Sequence, residues 1–192
     1  MKKNSKGFTL VELMVSLLIF GIVVAAAAGF MVAGSKSYNS VNDALNLQMQ
    51  SQLTANHITE YIIDSSAGIA FNSSTNTLYI INEYPPIPPD TDPTYTAHVF
   101  KYADGKINYG KGSARRTETD VDGKKQISFN CSVDPADLLT ENVKAFSISL
   151  KKTEQSKVTS AELSITLEKR GKVQTTTRTI ALRNCPPMVE IG

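Results

Sequence analysis

The chain has 192 residues, 41% of them hydrophobic and 20% charged, with a formal net charge of +2. These totals suit one folded domain with an appendage, and neither a basic field nor an acidic tail stands out that would indicate nucleic acid as a partner. Three of the twenty basic residues, Lys2, Lys3 and Lys6, lie in the first seven, so the positive character belongs largely to the start of the chain.

That start, MKKNSKG, is short, basic and polar, and a long apolar run follows it. From Leu13 to Ala33 the only polar side chain in 21 residues is Ser16, and a helix of that length covers about 30 Å, enough to cross a hydrocarbon core. Lysines before the run and none within it place the start on the cytoplasmic side and the body beyond the membrane. A cleaved signal peptide would have a shorter core, with Ala25 to Ala28 as its cleavage region. Glu12, at the beginning of the run, is foreign to such a core, and a carboxylate near hydrocarbon is costly unless paired.

The stretch Lys6-Gly7-Phe8-Thr9-Leu10-Val11-Glu12-Leu13, followed by the apolar run, resembles the processing signal of the type IV pilin superfamily, which includes the pseudopilins of type II secretion. The resemblance implies cleavage after Gly7 by a prepilin peptidase, N-methylation of the new N-terminus Phe8 by the same class of enzyme, and retention of the helix. It also implies that Glu12 pairs with the N-terminal amine of a neighbouring subunit in a filament, which would satisfy two groups that hydrocarbon penalises. Gly21, Ala25 and Gly29, four apart, suit close helix contact on one face. The implied partners are the peptidase and methyltransferase, major and other minor pilins or pseudopilins, an inner-membrane assembly platform and, before assembly, the lipid bilayer.

After Gly34 the apolar residues Val41, Leu45, Met49, Leu53, Ile58 and Ile62 recur at a helical period with one slip. No proline interrupts the chain from Phe8 to Tyr84, so one helix is expected from Phe8 to about Ser65, with this stripe facing the rest of the protein. The expected division is a leader over 1–7, a membrane or filament-core helix over 8–34, its amphipathic continuation over 35–67, and a β-rich head over 68–192.

Within the head, 77–81 reads as a strand and the proline-rich 83–93 as a rigid surface loop. Residues 97–102 and 106–109 read as a hairpin about Asp104-Gly105, and the polar stretch 110–126 as an exposed loop. Its D-x-D-G at 120–123 lacks the spacing and closing glutamate of a calcium loop. Strands are expected at 127–131, 143–150, 161–167 and 173–182. Alternation such as Leu163, Ile165 and Leu167 against Glu162, Ser164 and Thr166 suits an antiparallel sheet with one face on a helix. The fold expected is α+β and pilin-like.

Cys131 and Cys185 have no metal-ligand or C-x-x-C spacing. In an exported domain they could form one disulfide; two buried thiols are the alternative. The only histidines, His57 and His98, are not placed beside each other by any motif, and no nucleophile elbow, phosphate loop, zinc motif or dinucleotide fingerprint occurs. The expectation is a structural protein and not an enzyme, with no cofactor, metal or catalytic residue.

The closing segment Thr179-Ile180-Ala181-Leu182-Arg183-Asn184 and the strand-rich body resemble the W-type minor pilins and the J-type minor pseudopilins. The function this implies is a minor subunit of a type IV pilus, resident in the cytoplasmic membrane with its C-terminal domain extracytoplasmic until it enters a filament. The alternatives are a minor pseudopilin of a type II secretion system and a membrane-tethered binding module that does not polymerise.

Overall fold

The structure is a computed structural model and describes residues 9–84, 93–121 and 124–191, with side chains of 121–125 excepted. The proline-rich segment therefore lies almost wholly outside the described residues. Two compact units are distinguished, Met1–Asp43 and Ala44–Gly192. A single helix, α1 (Leu10–Asp64), runs through both, close to the expected bounds and about 80 Å long at helical rise.

In the first unit no described residue of the helix is buried. Its large apolar side chains from Leu10 to Val32 are between 49% and 81% exposed. This is the one helix long and apolar enough to cross a membrane among the described residues.

Among the described residues the second unit holds ten strands: β1 (Gly68–Asn72), β2 (Thr77–Tyr84), β3 (Thr94–Ala103), β4 (Lys106–Val121), β5 (Lys124–Ser132), β6 (Asp137–Glu141), β7 (Val143–Lys152), β8 (Val158–Lys169), β9 (Lys172–Ala181) and β10 (Glu190–Ile191). They form two sheets. One has the order β1-β2-β3-β4-β5-β10 with β6 paired to β4, and the other is β7-β8-β9. All pairings are antiparallel except β10 on β5.

The hairpin expected at Asp104-Gly105 forms, and a second tight turn, at Arg170-Gly171, joins β8 to β9. Both residues of each pair have positive φ, 51° and 72° in the first and 49° and 75° in the second. This is the mirror-image turn whose twist matches the flanking strands.

The expected exposed loop at 110–126 is corrected. β4 continues through it to Val121 and pairs with β5, from Ser113 opposite Ser132 to Val121 opposite Lys124. The stretch is polar because both faces of that ribbon are largely solvated, so composition there reported exposure and not loss of strand structure. β1, β6 and β10, each five residues or fewer, are too short to leave an alternating pattern in the sequence.

The larger sheet closes on itself through the C-terminal residues. Val189 N donates to Ile69 O, Ile69 N donates to Pro187 O, and two residues later Glu190 and Ile191 stand opposite Ser128 and Phe129 of β5. One short segment thus binds both edges, β1 and β5. Inside the ring lies a small core of Ala70, Ile81, Ala97, Val99, Ala114, Phe129 and Val189. Gly68 and Gly112 leave space for it. A Cβ on Gly68 would stand 2.7 Å from Val189 Cγ1, and one on Gly112 would fall on the Ser132 carbonyl oxygen.

The main core lies between the outside of this ring, the smaller sheet and the second part of α1. Leu47, Ala55, Ile58 and Ile62 of the helix meet Leu78, Ile80 and Phe100 of one sheet and Phe146, Leu163, Ile165 and Leu167 of the other. The expected helix stripe needs correction here. Only Ile58 and Ile62 of its six members are buried; Val41, Leu45, Met49 and Leu53 are exposed, the last by 60%. The buried line is instead Leu47, Ser51, Thr54/Ala55, Ile58 and Ile62, which keeps a helical period and puts small residues where the sheet comes close. Ser51 Oγ donates to Thr176 Oγ1 of β9 at 2.5 Å. The slip between Leu53 and Ile58 marks the change from a free face to a packed one.

Candidate processing and assembly site

Thr9 precedes the first helical residue and Glu12 follows three positions later. The Glu12 carboxylate oxygen Oε2 accepts from Thr9 N and from Thr9 Oγ1, both at 2.9 Å, while Glu12 N donates to Thr9 Oγ1 at 3.3 Å. This reciprocal arrangement is a capping box, which satisfies donors that a helix start leaves without partners. Ser16 Oγ donates to Glu12 O at 2.7 Å, so the one other polar side chain in the span is also satisfied along the helix. The T-x-x-E spacing was legible in the sequence, where Glu12 stands out for its charge and Thr9 for nothing. Gly7 and Phe8, the expected cleavage pair, lie outside the described residues.

Both Thr9 bonds fall on one carboxylate oxygen, so the group has a supported orientation and a second oxygen, Oε1, that Thr9 does not use. Around it every apolar neighbour on the helix is exposed: Leu10, Val11, Leu13, Met14 and Val15. Gly21, Gly29 and Gly34 would tolerate a Cβ with nothing of this chain nearby. The surface carrying the site is thus exposed among the described residues of its unit.

The other chemistry-bearing residues lie in the head. His57 and His98, which no motif placed together, meet in one aromatic cluster between α1 and the larger sheet. Tyr61 stacks on His98 with centroids 4.3 Å apart, Tyr109 stands 5.7 Å from Tyr61, and His57 approaches Tyr109 edge-on at 5.5 Å. His98 Nδ1 is 2.8 Å from the Tyr109 hydroxyl, which in turn lies 3.4 Å from that of Tyr61. Burial, with electrostatic repulsion from Lys111 and a smaller contribution from the neighbouring His57, holds His98 down to about 4 and therefore neutral near pH 7. Burial and the Tyr61 hydrogen bond raise Tyr109 above its ordinary range. The cluster packs the helix on the sheet, with His98 buried and His57, Tyr61 and Tyr109 half-buried.

Cys131 and Cys185 are free thiols, and the disulfide that the sequence allowed is not formed. The register supplies the reason. Glu190 stands opposite Ser128 in a parallel pairing, so the residues before Glu190 step back toward the start of β5 while Cys131 lies toward its end. Cys185 Sγ donates to Leu182 O at 3.8 Å. Burial pushes the Cys131 thiol up to about 11, which keeps it protonated and unreactive.

Two clefts open on the head. One, of about 820 Å³, is lined by Tyr95, Arg115, Arg116, Glu118 and Asn130 among others. There Arg116 is held by Glu118 and lies 3.5 Å from the Tyr95 hydroxyl. The other, of about 470 Å³, runs between Leu53, Thr54 and His57 of α1 and Leu138 to Glu141 of β6. Among the described residues no group of three His, Cys, Asp or Glu side chains could hold a metal ion.

Comparison with known proteins accords with the N-terminal site and with the fold. Residues 2–28 match the family model of the prokaryotic N-terminal methylation motif. No curated protein matches the chain. Among solved structures, a type IV-like pilin from Thermus thermophilus superposes with a TM-score of 0.53 at 11% identity, covering 73% of this chain and 97% of that one. Such low identity speaks for the fold and not for a shared role. The chain thus carries a prokaryotic N-terminal methylation motif on its apolar helix and has a fold like that of a type IV-like pilin.

Proposed function

We propose that the chain is a minor structural subunit of a type IV pilus. A prepilin peptidase removes Met1 to Gly7, Phe8 becomes the N-methylated N-terminus, and the apolar helix anchors the subunit in the cytoplasmic membrane with the head beyond it. On assembly, neighbouring helices replace lipid around the same surface, and Glu12 pairs with the amine of a neighbour through the oxygen that Thr9 leaves open. The protein works by packing and not by catalysis.

One observation carries this reading: a methylation motif on an apolar helix whose large side chains from Leu10 to Val32 are all exposed among the described residues. Exposed Val41, Leu45, Met49 and Leu53 carry apolar surface past the predicted membrane span, where lipid no longer covers it but neighbouring subunits could. The ten-stranded, two-sheet head supports a minor subunit, as does the resemblance of 179–184 to the minor pilins.

The reading is tested by expressing wild type and Glu12→Ala in the native cell, shearing surface filaments and quantifying the subunit in them and in the membrane. Equal membrane levels with at least tenfold less Glu12→Ala in the filaments are expected. Equal incorporation would refute the pairing. Recovery of the wild type only with a secretion system's periplasmic filament would make it a pseudopilin, and recovery of wild-type monomers alone would make it a tethered module.

A further inference from the structure

The edge of a sheet presents a row of backbone N–H and C=O groups that invites another strand, and folds blunt such edges by covering, shortening, bulging or charging them. The edges of this head are mostly treated in one of these ways. The C-terminal segment occupies β1 and β5. β6 has five residues, and β7 shifts register near both ends, between Val143 and Ala145 and between Lys151 and Lys152. Beyond its last pairing with β3, β4 carries Arg115, Arg116, Glu118 and Asp120.

β9 is the exception. Among the described residues it pairs with β8 on one side and with no strand on the other. Its ten residues include no proline and run in unbroken register from Lys172 opposite Lys169 to Ala181 opposite Ser160. Val173, Ile180 and four threonines, Thr175, Thr176, Thr177 and Thr179, favour the extended state. The register also fixes which groups are open. Leu182 N donates to Thr159 O just past the strand, and bonded positions alternate along an antiparallel pair. The even-numbered residues of β9 therefore bond to β8, while Val173, Thr175, Thr177 and Thr179 turn N–H and C=O outward. Of these groups, Thr175 O accepts from the side chain of its neighbour, Gln174 Nε2, at 3.4 Å. Arg178 adds a second observation. It is half-buried on the side of the strand that faces α1, opposite the buried Leu163, and has no ion pair or hydrogen bond among the described residues.

We infer that β9 takes on an added strand from a different subunit of the same filament, in a register that brings an Asp or Glu of that strand to Arg178. The inference rests on the filament assembly proposed above. Strand addition supplies main-chain hydrogen bonds for affinity and side-chain contacts for specificity, and a carboxylate gives the guanidinium a charge-assisted partner that also fixes the register. A second copy of this chain fits less well. β9 has no acidic residue, so β9 against β9 would leave Arg178 of both copies without a carboxylate. A partner held only by side chains fits less well too, since it would leave the outward N–H groups of Val173, Thr175, Thr177 and Thr179 unused.

The test expresses the full chain in its native cell and quantifies it in sheared filaments and in the membrane. Thr177→Pro removes one outward N–H and leaves the ladder to β8 in place, and Arg178→Gln removes the charge. Thr177→Lys blunts the edge without touching the backbone and takes the place of the proline variant if circular dichroism shows that one unfolded. Membrane levels equal to wild type with about tenfold less of each edge variant in the filaments are expected. Ser147→Lys, on the outward face of β7, leaves the edge intact and should enter as the wild type does. Amide exchange resolved to single residues should be fast at Val173, Thr175, Thr177 and Thr179 in the membrane-resident chain and slow in filaments, with Gln174 and Thr176 slow in both. Fast exchange at the four outward amides within filaments, or equal incorporation of the edge variants, would overturn the inference and leave the proposed function standing. Equal loss of Ser147→Lys would overturn it in favour of a contact through the face of the sheet. A photocrosslinker at Thr175 that joins two copies of this chain would overturn it in favour of self-pairing. Absence of the wild type from filaments would overturn the proposed function and this inference with it.

Discussion

At the first turn of α1, Thr9 and Glu12 hold each other through reciprocal bonds, and the same carboxylate is the one proposed to meet a neighbour's amine. Replacing Thr9 by Val keeps the branch and removes the hydroxyl, at an expected cost of about 1 kcal/mol to the helix start. Faster amide exchange at residues 10–13 in lipid nanodiscs should report it, and unchanged exchange would show the box to be idle. Gly112 is the second residue-scale case. An Ala there drives its Cβ onto the Ser132 backbone oxygen, and because a backbone cannot swing aside as a side chain does, a loss of about 2–4 kcal/mol is expected. Denaturant unfolding of the mature chain in micelles checks it; wild-type stability would contradict the closed ring. His98 gives a pH prediction. Its folded value of about 4 lies below the ordinary 6.5, so the unfolded chain binds the proton more readily. The stability this contributes is complete above about pH 6.5 and is lost as pH falls toward 4. A His98→Gln variant should show a smaller drop in Tm over that window than the wild type, and an equal drop would argue against a buried neutral ring.

At the scale of elements, the C-terminal segment binds β1 and β5 and sends Val189 into the ring core. Val189→Asp places an unpaired charge there and should unfold the head or lower its Tm by many degrees, whereas Met188→Ser, at a half-exposed neighbour, should change little. Circular dichroism melts of the two variants separate the cases, and similar melts would contradict a structural role for Val189. This segment was illegible in the sequence because two residues of strand carry no period. The helix, the Asp104-Gly105 turn and the alternating strands β7 to β9 were legible because a helical run, an Asp-Gly pair and two-residue alternation are local signals. Ribbon β4–β5 was misread because its Arg, Thr, Glu and Asp residues reflect solvent on both faces. On α1 the periodicity was real but belonged to two faces, one for the head and one that stays bare. Which was which depended on the sheet and not on the helix. The meeting of His57 with His98 follows from how α1 packs on the larger sheet, and the separation of the two cysteines from strand register.

At the scale of the whole molecule, the chain combines a head with its own cores and a helix whose apolar surface is exposed among the described residues. In water such a surface is unfavourable by roughly 25 cal/mol for each Å² exposed, so the helix calls for lipid or other helices around it, and the proposed assembly of a chain processed at the methylation motif would exchange one for the other. Glu12 is the part of this account that sequence resemblance supplied and geometry could only make compatible, since a single chain shows no neighbour. The most direct test is intact-mass and N-terminal peptide analysis of the protein recovered from its native envelope. The account predicts loss of Met1 to Gly7 and one methyl group on the amine of Phe8; an uncut chain, or cleavage near Ala28 that discards the helix, would contradict it.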